Sequence, residues 1–383
     1  MRKTYLLSTI QADTIMKSRW PLLEAMLSKG WDVHVAMPRS RFAADLRERG
    51  VHVHEYDLRR GSTNPFREAR TLSQYRAIVR SVDPILAHHF STKAVIYGSL
   101  AGRGITISTI TGIGHSLSGG NGLKSIPVRT FAPGLYRRAL RRCNRVVFQN
   151  EGDREVFVER GIVDPGRTSL ILGSGVDMAY YHPCRRRRKA PDCVRFVMLS
   201  RLIATKGVRE FAAAAGRVRE NLPLKARFVL AGPLDPENPS CIQPKELDYW
   251  QERGLIEWRG PVSDAVEAYA DADVAVLPSY AEGLPRAMVE GAAMGLPVIT
   301  TTHPGCAATV VPDESGLLVP PRDVESLADA CRTLAEDEDL RSTMGTAGRR
   351  YVESRFGTDT VIEQTLELYD EELTRAGLRG LAA

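Results

Sequence analysis

The stretch LPSYAEGLPRAMVEGAAMGLPVIT, residues 277–300, carries the clearest strand–loop–helix signature in the chain. An apolar strand ends at Pro278, a loop follows, and Pro285 occupies a position that the first turn of a helix tolerates. The amino end of this helix offers N–H groups from about Gly283 and Leu284, together with the positive end of the helix dipole. The segment therefore predicts an anion site, and Gly283 lets the backbone approach a phosphate closely.

Two glutamates flank this predicted site. Glu282 lies in the loop before the helix, whereas Glu290 lies about 7.5 Å beyond Pro285 along the helix axis. A carboxylate at each end of a phosphate site suits a diphosphate with hydroxyl groups on both sides, which is the layout of a nucleotide-sugar. The alternative is structural, with one acidic residue favoured by the helix dipole and one solvent-exposed helix glutamate.

A pair of cations precedes this motif in LSRLIATKGVREF, residues 199–211. A predicted strand delivers Arg201 to its carboxyl end, and Lys206 stands just before the next helix. A guanidinium fork and a mobile ammonium group at one strand-to-helix loop suit the oxygens of a diphosphate.

Short β-branched runs alternate with helical patterns through both halves of the chain. Strands are predicted at 4–10, 32–37, 51–56, 85–90, 105–110 and 145–149, and again at 194–199, 226–231, 256–258, 273–278, 297–301 and 316–319. Strands that are apolar on both faces and alternate with helices predict parallel sheets covered on both sides. The expected fold class is α/β, with two tandem Rossmann-like, doubly wound domains facing across a cleft.

Domain boundaries follow from this alternation. The predicted N-terminal domain spans residues 1–177, and a linker spans 178–192, where the run RRRRK has neither periodicity nor apolar content. The C-terminal domain spans 193–360. The last helical pattern, 361–383, has no strand to return to, which leaves it able to cross back to the N-terminal domain.

Composition is that of a globular protein, with 43% hydrophobic and 26% charged residues in 383. The net charge of +6 divides unevenly, as +17 in residues 1–190 and −11 in the remainder. Six cysteines without a C-x-x-C pair argue against disulfides and a cysteine zinc site, and they fit a reducing cytoplasm. The first apolar run ends by residues 11–13, too early for a signal peptide.

The glutamate segment resembles glycosyltransferase family 4, whose donor signature is P-S-x-x-E-G-x-P-x-x-x-x-E-A-x-x-x-G-x-P-V-I. In this chain Gly291 replaces the usual alanine. The resemblance implies a GT-B fold and a retaining, hexosyltransferase-type enzyme. It implies that Glu282 contacts the donor sugar and Glu290 the ribose, while Arg201 and Lys206 neutralise the leaving diphosphate.

Further fragments are similar to the branch of this family that builds bacterial capsule, O-antigen and lipid-linked oligosaccharides. They are TGIG at 111–114, FQN at 148–150, GSGVD at 173–177 and AGPLDPENP at 231–239. The resemblance implies a UDP-sugar donor and a lipid-linked glycan acceptor. Many relatives carry paired glycines after the first strand, whereas residues 9–14 here contain none.

The N-terminal domain is expected to hold the acceptor. Polar residues follow the strand at 85–90, and a glycine-rich loop spans 111–122. The acceptor-side candidates are His88, His89, Lys93 and His115. Each histidine has an alternative role as an ordinary hydrogen-bonded residue.

Metal and cofactor are both expected to be dispensable. The sequence Asp271-Ala-Asp273 imitates a D-x-D metal motif, but Asp271 ends a helix and Asp273 begins a buried strand, so both are interpreted as structural. The predicted cations and helix end balance the diphosphate without a metal ion. The nucleotide-sugar is a substrate, not a cofactor.

Residues 134–145 form a basic amphipathic pattern, with arginines at 138, 141, 142 and 145 and apolar residues between them. One interpretation is contact with the inner face of the plasma membrane, where a lipid-linked acceptor would lie, and hence a peripheral, cytoplasmic enzyme. The other is a surface helix packed on its own domain.

Two alternative functions remain open. A nucleotide-sugar epimerase or hydrolase of related two-domain fold would use a similar donor cleft. A nucleic-acid binder would explain the arginine runs, but it leaves both glutamates unexplained, and no nucleic-acid module is recognised. A dehydrogenase is excluded because no G-x-G-x-x-G follows a strand in the required setting.

Overall fold

The computed structural model describes residues 3–59, 62, 64–112, 126–187, 193–221 and 226–381. The strands are β1 (Thr4–Ser8), β2 (Asp32–Pro38), β3 (His52–Tyr56), β4 (Leu86–Phe90), β5 (Ile105–Ile110), β6 (Arg145–Phe148), β7 (Thr168–Leu170), β8 (Val194–Leu199), β9 (Ala226–Ala231), β10 (Glu257–Trp258), β11 (Val274–Leu277), β12 (Val298–Thr301) and β13 (Gly316–Val319).

Helices alternate with these strands as the sequence predicts. They are α1 (Trp20–Ser28), α2 (Ala43–Glu48), α3 (Pro65–Val82), α4 (Thr92–Ala101), α5 (Ile126–Leu140), α6 (Glu151–Glu159), α7 (Val208–Asn221), α8 (Pro244–Glu252), α9 (Ala265–Ala270), α10 (Arg286–Ala293), α11 (Pro304–Ala307), α12 (Val324–Glu336), α13 (Glu338–Phe356) and α14 (Thr358–Arg375).

The strands form two separate parallel sheets. The first has the order β3-β2-β1-β4-β5-β6-β7 and the second the order β10-β9-β8-β11-β12-β13. In the first sheet, Tyr5 and Leu7 belong to one apolar cluster, while Leu6 between them belongs to another. Both faces are therefore covered, which confirms the prediction of two doubly wound α/β domains.

The chain divides into two compact units. One consists of the residues up to Gly175 together with those from Thr358 onward, and the other spans Val176–Gly357. The start of the predicted linker packs on the second unit, because Arg349 donates to the carbonyl of Met178 at 2.9 Å. The division thus falls before the arginine run, which gives residues 176–187 to the second unit.

Helix α14 belongs to the first unit. The hydroxyl of Tyr369 lies 2.9 Å from that of Tyr5 and 2.5 Å from Nδ1 of His88. All three side chains are buried, so the last helix completes the core of the first domain.

The basic segment 134–145 also packs inward. Ala139, Leu140 and Cys143 are buried in an apolar cluster of the first unit. Arg145 is 7% exposed, and two of its nitrogens donate to Glu372 Oε1 at 3.0 and 2.7 Å. Burial of these side chains favours a surface helix packed on its own domain and does not support contact of this segment with a membrane, although Leu135 at its start is 43% exposed.

Among the described residues, no helix combines the length and the apolar character that crossing a bilayer requires.

Replacement of the buried Glu372 by alanine is expected to destabilise the first unit by about 3–5 kcal/mol, because Arg145 would keep an uncompensated buried charge. Urea denaturation of Glu372→Ala measures this change. The matched control is Glu371→Ala, which removes a carboxylate that is 58% exposed and 3.8 Å from Arg145, with an expected cost below about 1 kcal/mol. Equal effects of the two substitutions would contradict a dominant buried pair.

Candidate functional site

The two motifs singled out in the sequence meet at one edge of the second sheet. Strand β8 precedes Arg201, β11 precedes the glutamate loop, and the two strands are parallel neighbours. The carboxyl ends of parallel strands lie on the same side of a sheet, where ligands of this fold class bind.

Hydrogen bonds tie the two loops together. The hydroxyl of Ser279 and the backbone N–H of Tyr280 both donate to the carbonyl of Thr205, at 3.0 and 3.1 Å. Gly207 follows with φ +77°, and a Cβ atom there would lie 2.2 Å from the carbonyl oxygen of Pro278. Only glycine allows this approach, which brings Lys206 against the loop that contains Glu282.

Lys206 and Glu282 form an ion pair in which Nζ donates to Oε1. Their side chains are 17% and 10% exposed, so water screens this pair only weakly. The structure thus brings together the cation and the first glutamate of the predicted site, although they are 76 residues apart in sequence.

Arg201 lies at the same strand end and is more open to solvent. Its side chain is 42% exposed, and it donates to Asp235 Oδ2 at 2.5 Å. Asp235 follows β9, the neighbour of β8 on the other side. This carboxylate holds the guanidinium group at the carboxyl edge.

The predicted anion site also has the expected local structure. Pro285 is the N-cap of α10 in an extended conformation, and Gly283 and Leu284 precede it directly. The carbonyls of Glu282 and Gly283 pack against Gly305, where a Cβ atom would lie 2.3 and 2.4 Å from the two oxygens. The short helix α11, which follows β12, therefore supports this loop from a third direction.

Titratable groups around Glu282 reflect its buried setting. Burial raises the pKa of the Cys306 thiol to about 11, and the nearby Glu282 carboxylate adds to this rise. Burial lowers the pKa of His303, although Glu282 acts in the opposite direction. Both neighbours are therefore neutral at pH 7 and add no charge beside the Lys206–Glu282 ion pair.

Glu290 is 7% exposed, so the alternative of a solvent-exposed helix glutamate is wrong. Arg286, one helical turn earlier, donates to its Oε1 through Nε at 3.1 Å and through a terminal nitrogen at 2.9 Å. Burial raises the pKa of Tyr181, and Glu290 raises it further by charge and by hydrogen bonding. A buried carboxylate with these two partners is a preorganised acceptor for hydroxyl groups.

His88 lines a cavity in the first unit, at the carboxyl ends of its strands. The cavity wall also includes Arg19, Phe90, Thr109 and Ser174. Both ring nitrogens of His88 have partners, Tyr369 at 2.5 Å and Thr109 at 2.7 Å. Burial holds its pKa well below the usual value, with the charge of Arg19 contributing, so the ring is neutral.

Two other acceptor-side candidates have contacts within the first unit. His89 is 1% exposed, lies 2.7 Å from Ser8 Oγ and packs on Gly98. Lys93 uses its ammonium group to hold the carbonyls of Arg59 and Ser62 and the carboxylate of Glu68. The domain core and a loop thus occupy the two side chains, which favours ordinary structural roles for them, and their acceptor roles stay predictions.

His115 lies outside the described residues, so its prediction stays a prediction.

Both aspartates of the D-x-D imitation, Asp271 and Asp273, lie within the described residues. Asp271 accepts from Arg187 at 3.2 Å, and Asp273 accepts from the backbone N–H of Arg195 at 2.8 Å. Both aspartates thus have the structural roles that the sequence predicts.

Three further residues belong to the site although no sequence motif predicted them, namely Asp235, Arg286 and Tyr181. The i,i+4 spacing from Arg286 to Glu290 is a sequence signal for a helical ion pair. Asp235 lies in one of the fragments similar to family 4, but only the sheet order shows that it meets Arg201. Tyr181 follows the GSGVD fragment and has no local signal that connects it with Glu290.

Family models match both units. A "Glycosyl transferase 4-like domain" matches residues 19–172, and "Glycosyl transferases group 1" matches residues 193–337. The solved sucrose-phosphate synthase of Thermosynechococcus elongatus has the same fold, with a TM-score of 0.80 and 20% identity over 98% of this chain and 100% of that chain.

Two curated relatives are similar over most of their length. An N,N'-diacetylbacillosaminyl-diphospho-undecaprenol alpha-1,3-N-acetylgalactosaminyltransferase of Campylobacter jejuni is 25% identical over 93% of this chain and 96% of the relative. A UDP-Gal:alpha-D-GlcNAc-diphosphoundecaprenol alpha-1,3-galactosyltransferase of Escherichia coli is 25% identical over 74% of each chain.

Fold and sequence matches together define a glycosyltransferase of the GT-B class. The chain belongs to glycosyltransferase family 4.

Packing explains why glycine replaces the alanine of the family signature at position 291. An added Cβ atom would lie 2.7 Å from Cβ of Ala275, on the strand beneath α10. Gly291→Ala, which restores the family's usual residue, is therefore expected to lower the free energy of unfolding by about 1–3 kcal/mol.

The matched control for this substitution is Gly216→Ala in α7. There the added Cβ would meet only Leu255, at 3.8 Å, so helix propensity should raise stability by up to about 1 kcal/mol. Thermal unfolding of both variants measures the difference. A stabilised Gly291→Ala would show that α10 shifts without cost.

Proposed function

We propose that this glycosyltransferase moves a hexosyl group, with retention of anomeric configuration, from a UDP-sugar to a lipid-linked glycan acceptor. The observation that carries the proposal is the ion pair between Lys206 and Glu282. These residues lie in the neighbouring loops that follow β8 and β11, and the second loop leads to the N-terminus of α10. Such a pair offers a cation for a diphosphate and a carboxylate for sugar hydroxyls. The names of the relatives support the donor and the acceptor class.

The donor diphosphate is assigned to Arg201, Lys206 and the backbone before α10, at Gly283 and Leu284. An ammonium group has three N–H donors, so Lys206 can hold Glu282 and a phosphate oxygen together. Arg201 can offer its planar fork to a second oxygen. Two cations and a helix dipole stabilise the negative charge that develops on the leaving diphosphate.

The two glutamates bind opposite ends of the donor. Glu282 accepts hydroxyl groups of the sugar, next to the cation that holds the diphosphate. Glu290 accepts the ribose hydroxyls, and its ion pair with Arg286 keeps its side chain oriented. This division of roles requires the two carboxylates to have separate cation partners, which is the arrangement observed.

In the proposed reaction the acceptor hydroxyl attacks the anomeric carbon from the face that the diphosphate leaves. The bond between the anomeric carbon and the phosphate oxygen breaks, and a glycosidic bond forms. The departing phosphate oxygen takes the hydroxyl proton, so the products are UDP and the extended glycan. The protein positions the reactants and stabilises charge, without a dedicated base.

The acceptor is assigned to the first unit, near Arg19, which borders a cavity of about 20 Å³ that has room for a water molecule and not for a sugar. Arg19 lies over the ring of Phe90 at 3.9 Å, which fixes a cation at the cavity wall. This cation suits an anionic acceptor, such as a lipid-linked diphosphate. An acceptor of that kind would bring the reaction to the inner face of the plasma membrane.

A donor screen tests the proposed function. Purified protein is incubated with UDP-, GDP- and ADP-sugars and a bacterial membrane extract, and release of nucleotide diphosphate is measured. UDP release that requires the extract and yields a new glycosidic bond is expected. Release without an acceptor would indicate an epimerase or hydrolase, and no release with any donor would contradict the proposal.

Glu282→Gln is expected to lower turnover at least about 100-fold, because the amide loses the charge that orients Lys206 and the sugar. The matched control is Glu325→Gln, which alters a glutamate that is 63% exposed and paired with Arg217. Steady-state UDP release measures both variants. Near-normal turnover in Glu282→Gln would remove this residue from the site.

Turnover is expected to persist in excess EDTA, because Arg201 and Lys206 supply the charge that a divalent ion would otherwise provide. UDP release with and without EDTA, followed by added Mg²⁺ or Mn²⁺, measures this. Loss of turnover that either ion restores would show that the transfer depends on a metal.

A further inference from the structure

A cluster of histidines lies in the first unit, on strands β2 and β3. Three of the eight histidines in the chain, His34, His52 and His54, belong to it together with Asp32. Side chains alternate along a strand, so Asp32 and His34 share one face of β2, and His52 and His54 share one face of β3. The strands are parallel, with His34 opposite His52, which brings all four side chains to the same face.

The polar atoms of this cluster converge on one point. Asp32 Oδ2 lies 2.9 Å from His34 Nε2, and Asp32 Oδ1 lies 3.1 Å from His52 Nε2. One ligand atom from each of Asp32, His34 and His52 lies within 4.8 Å of a ligand atom of the other two residues. Ligands about 2.0–2.2 Å from a tetrahedral zinc ion are roughly 3.4 Å apart, so small side-chain rotations suffice to bind one.

His54 supplies the outer contact that metal-binding histidines use. Its Nε2 lies 2.9 Å from Nδ1 of His34, and the two rings are stacked with centroids 5.2 Å apart. If His34 donates its Nδ1 proton to His54, its Nε2 carries a lone pair directed toward Asp32 and His52. This arrangement fixes the tautomer of a ligating histidine.

We propose that Asp32, His34 and His52 bind a Zn²⁺ ion, and that His54 positions His34 for this role. Imidazole and carboxylate ligands suit zinc, and three protein ligands leave a fourth position for water. The metal replaces the protons that bridge Asp32 to the two imidazole rings. The His52 side chain is 54% exposed, which provides a path from solvent.

Within the first unit, the site lies at the opposite end of the sheet from the cavity that contains His88. Asp32 and His52 begin their strands, whereas the cavity that contains His88 lies at the carboxyl ends of the same sheet. Strand β3 is the edge of the sheet, so a bound ion would crosslink the edge strand to β2. The role of the ion is therefore structural, and the proposal does not depend on the proposed function.

Zinc binding is tested on tag-free, full-length protein that carries Cys184→Ser, because Cys184 is an exposed thiol that could bind metal. Calorimetric titration with ZnCl₂ gives affinity and stoichiometry, and Co²⁺ absorption reports the ligand geometry. One ion per chain is expected, with a higher melting temperature in Zn²⁺. His52→Ala, at an exposed position, is expected to weaken binding at least about tenfold and to abolish the rise in melting temperature.

The matched control is His182→Asn, which removes an exposed histidine outside the cluster and keeps a side chain that can cap the turn at 183–185. Its zinc affinity should equal that of the parent protein. His54→Phe should weaken binding about 10–100-fold, whereas His54→Gln, which can still accept from His34, should largely restore it.

Three results would overturn the proposal. They are no binding of Zn²⁺ or Co²⁺ by the parent protein, unchanged affinity in a folded His52→Ala, and loss of binding only in His182→Asn. Circular dichroism of each variant confirms that an altered affinity does not arise from unfolding.

Discussion

Adjacency of β8 and β11 in the second sheet is the constraint on which the candidate donor site depends. These strands are parallel, so the turn that contains Lys206 and the loop that contains Glu282 leave the sheet at the same edge. The tight approach of Gly207 to Pro278 then closes the distance between them. Without this register, a lysine and a glutamate 76 residues apart could not form a largely buried ion pair.

Each charged group of the donor site already has a partner of opposite charge. Lys206 pairs with Glu282, Arg201 with Asp235, and Arg286 with Glu290. This arrangement stabilises the domain without ligand and keeps the side chains in place before binding, which lowers the entropy lost on association. In the proposed function, an incoming diphosphate would share cations that already have carboxylate partners, so its binding would also depend on the helix end before α10.

In the first unit the corresponding constraint is the docking of α14, because this helix comes from the far end of the chain. Tyr369 and Glu372 of α14 reach Tyr5, His88 and Arg145 in the sheet. Buried polar groups cost free energy unless they are hydrogen-bonded, and here each contact satisfies both partners. A shifted helix would leave buried charges and hydroxyls without partners, so this network fixes where α14 docks.

Periodicity and local motifs were enough to predict two parallel α/β domains, the strand ends that contain Arg201 and Lys206, and the loop and helix that contain Glu282 and Glu290. These features depend on residues close together in the chain. The burial of His89, the use of Lys93 as a loop anchor, and the partners Asp235 and Tyr181 depend on contacts between distant segments. Only the packed structure reveals them, because a sequence pattern shows which face a side chain shares and not what covers that face.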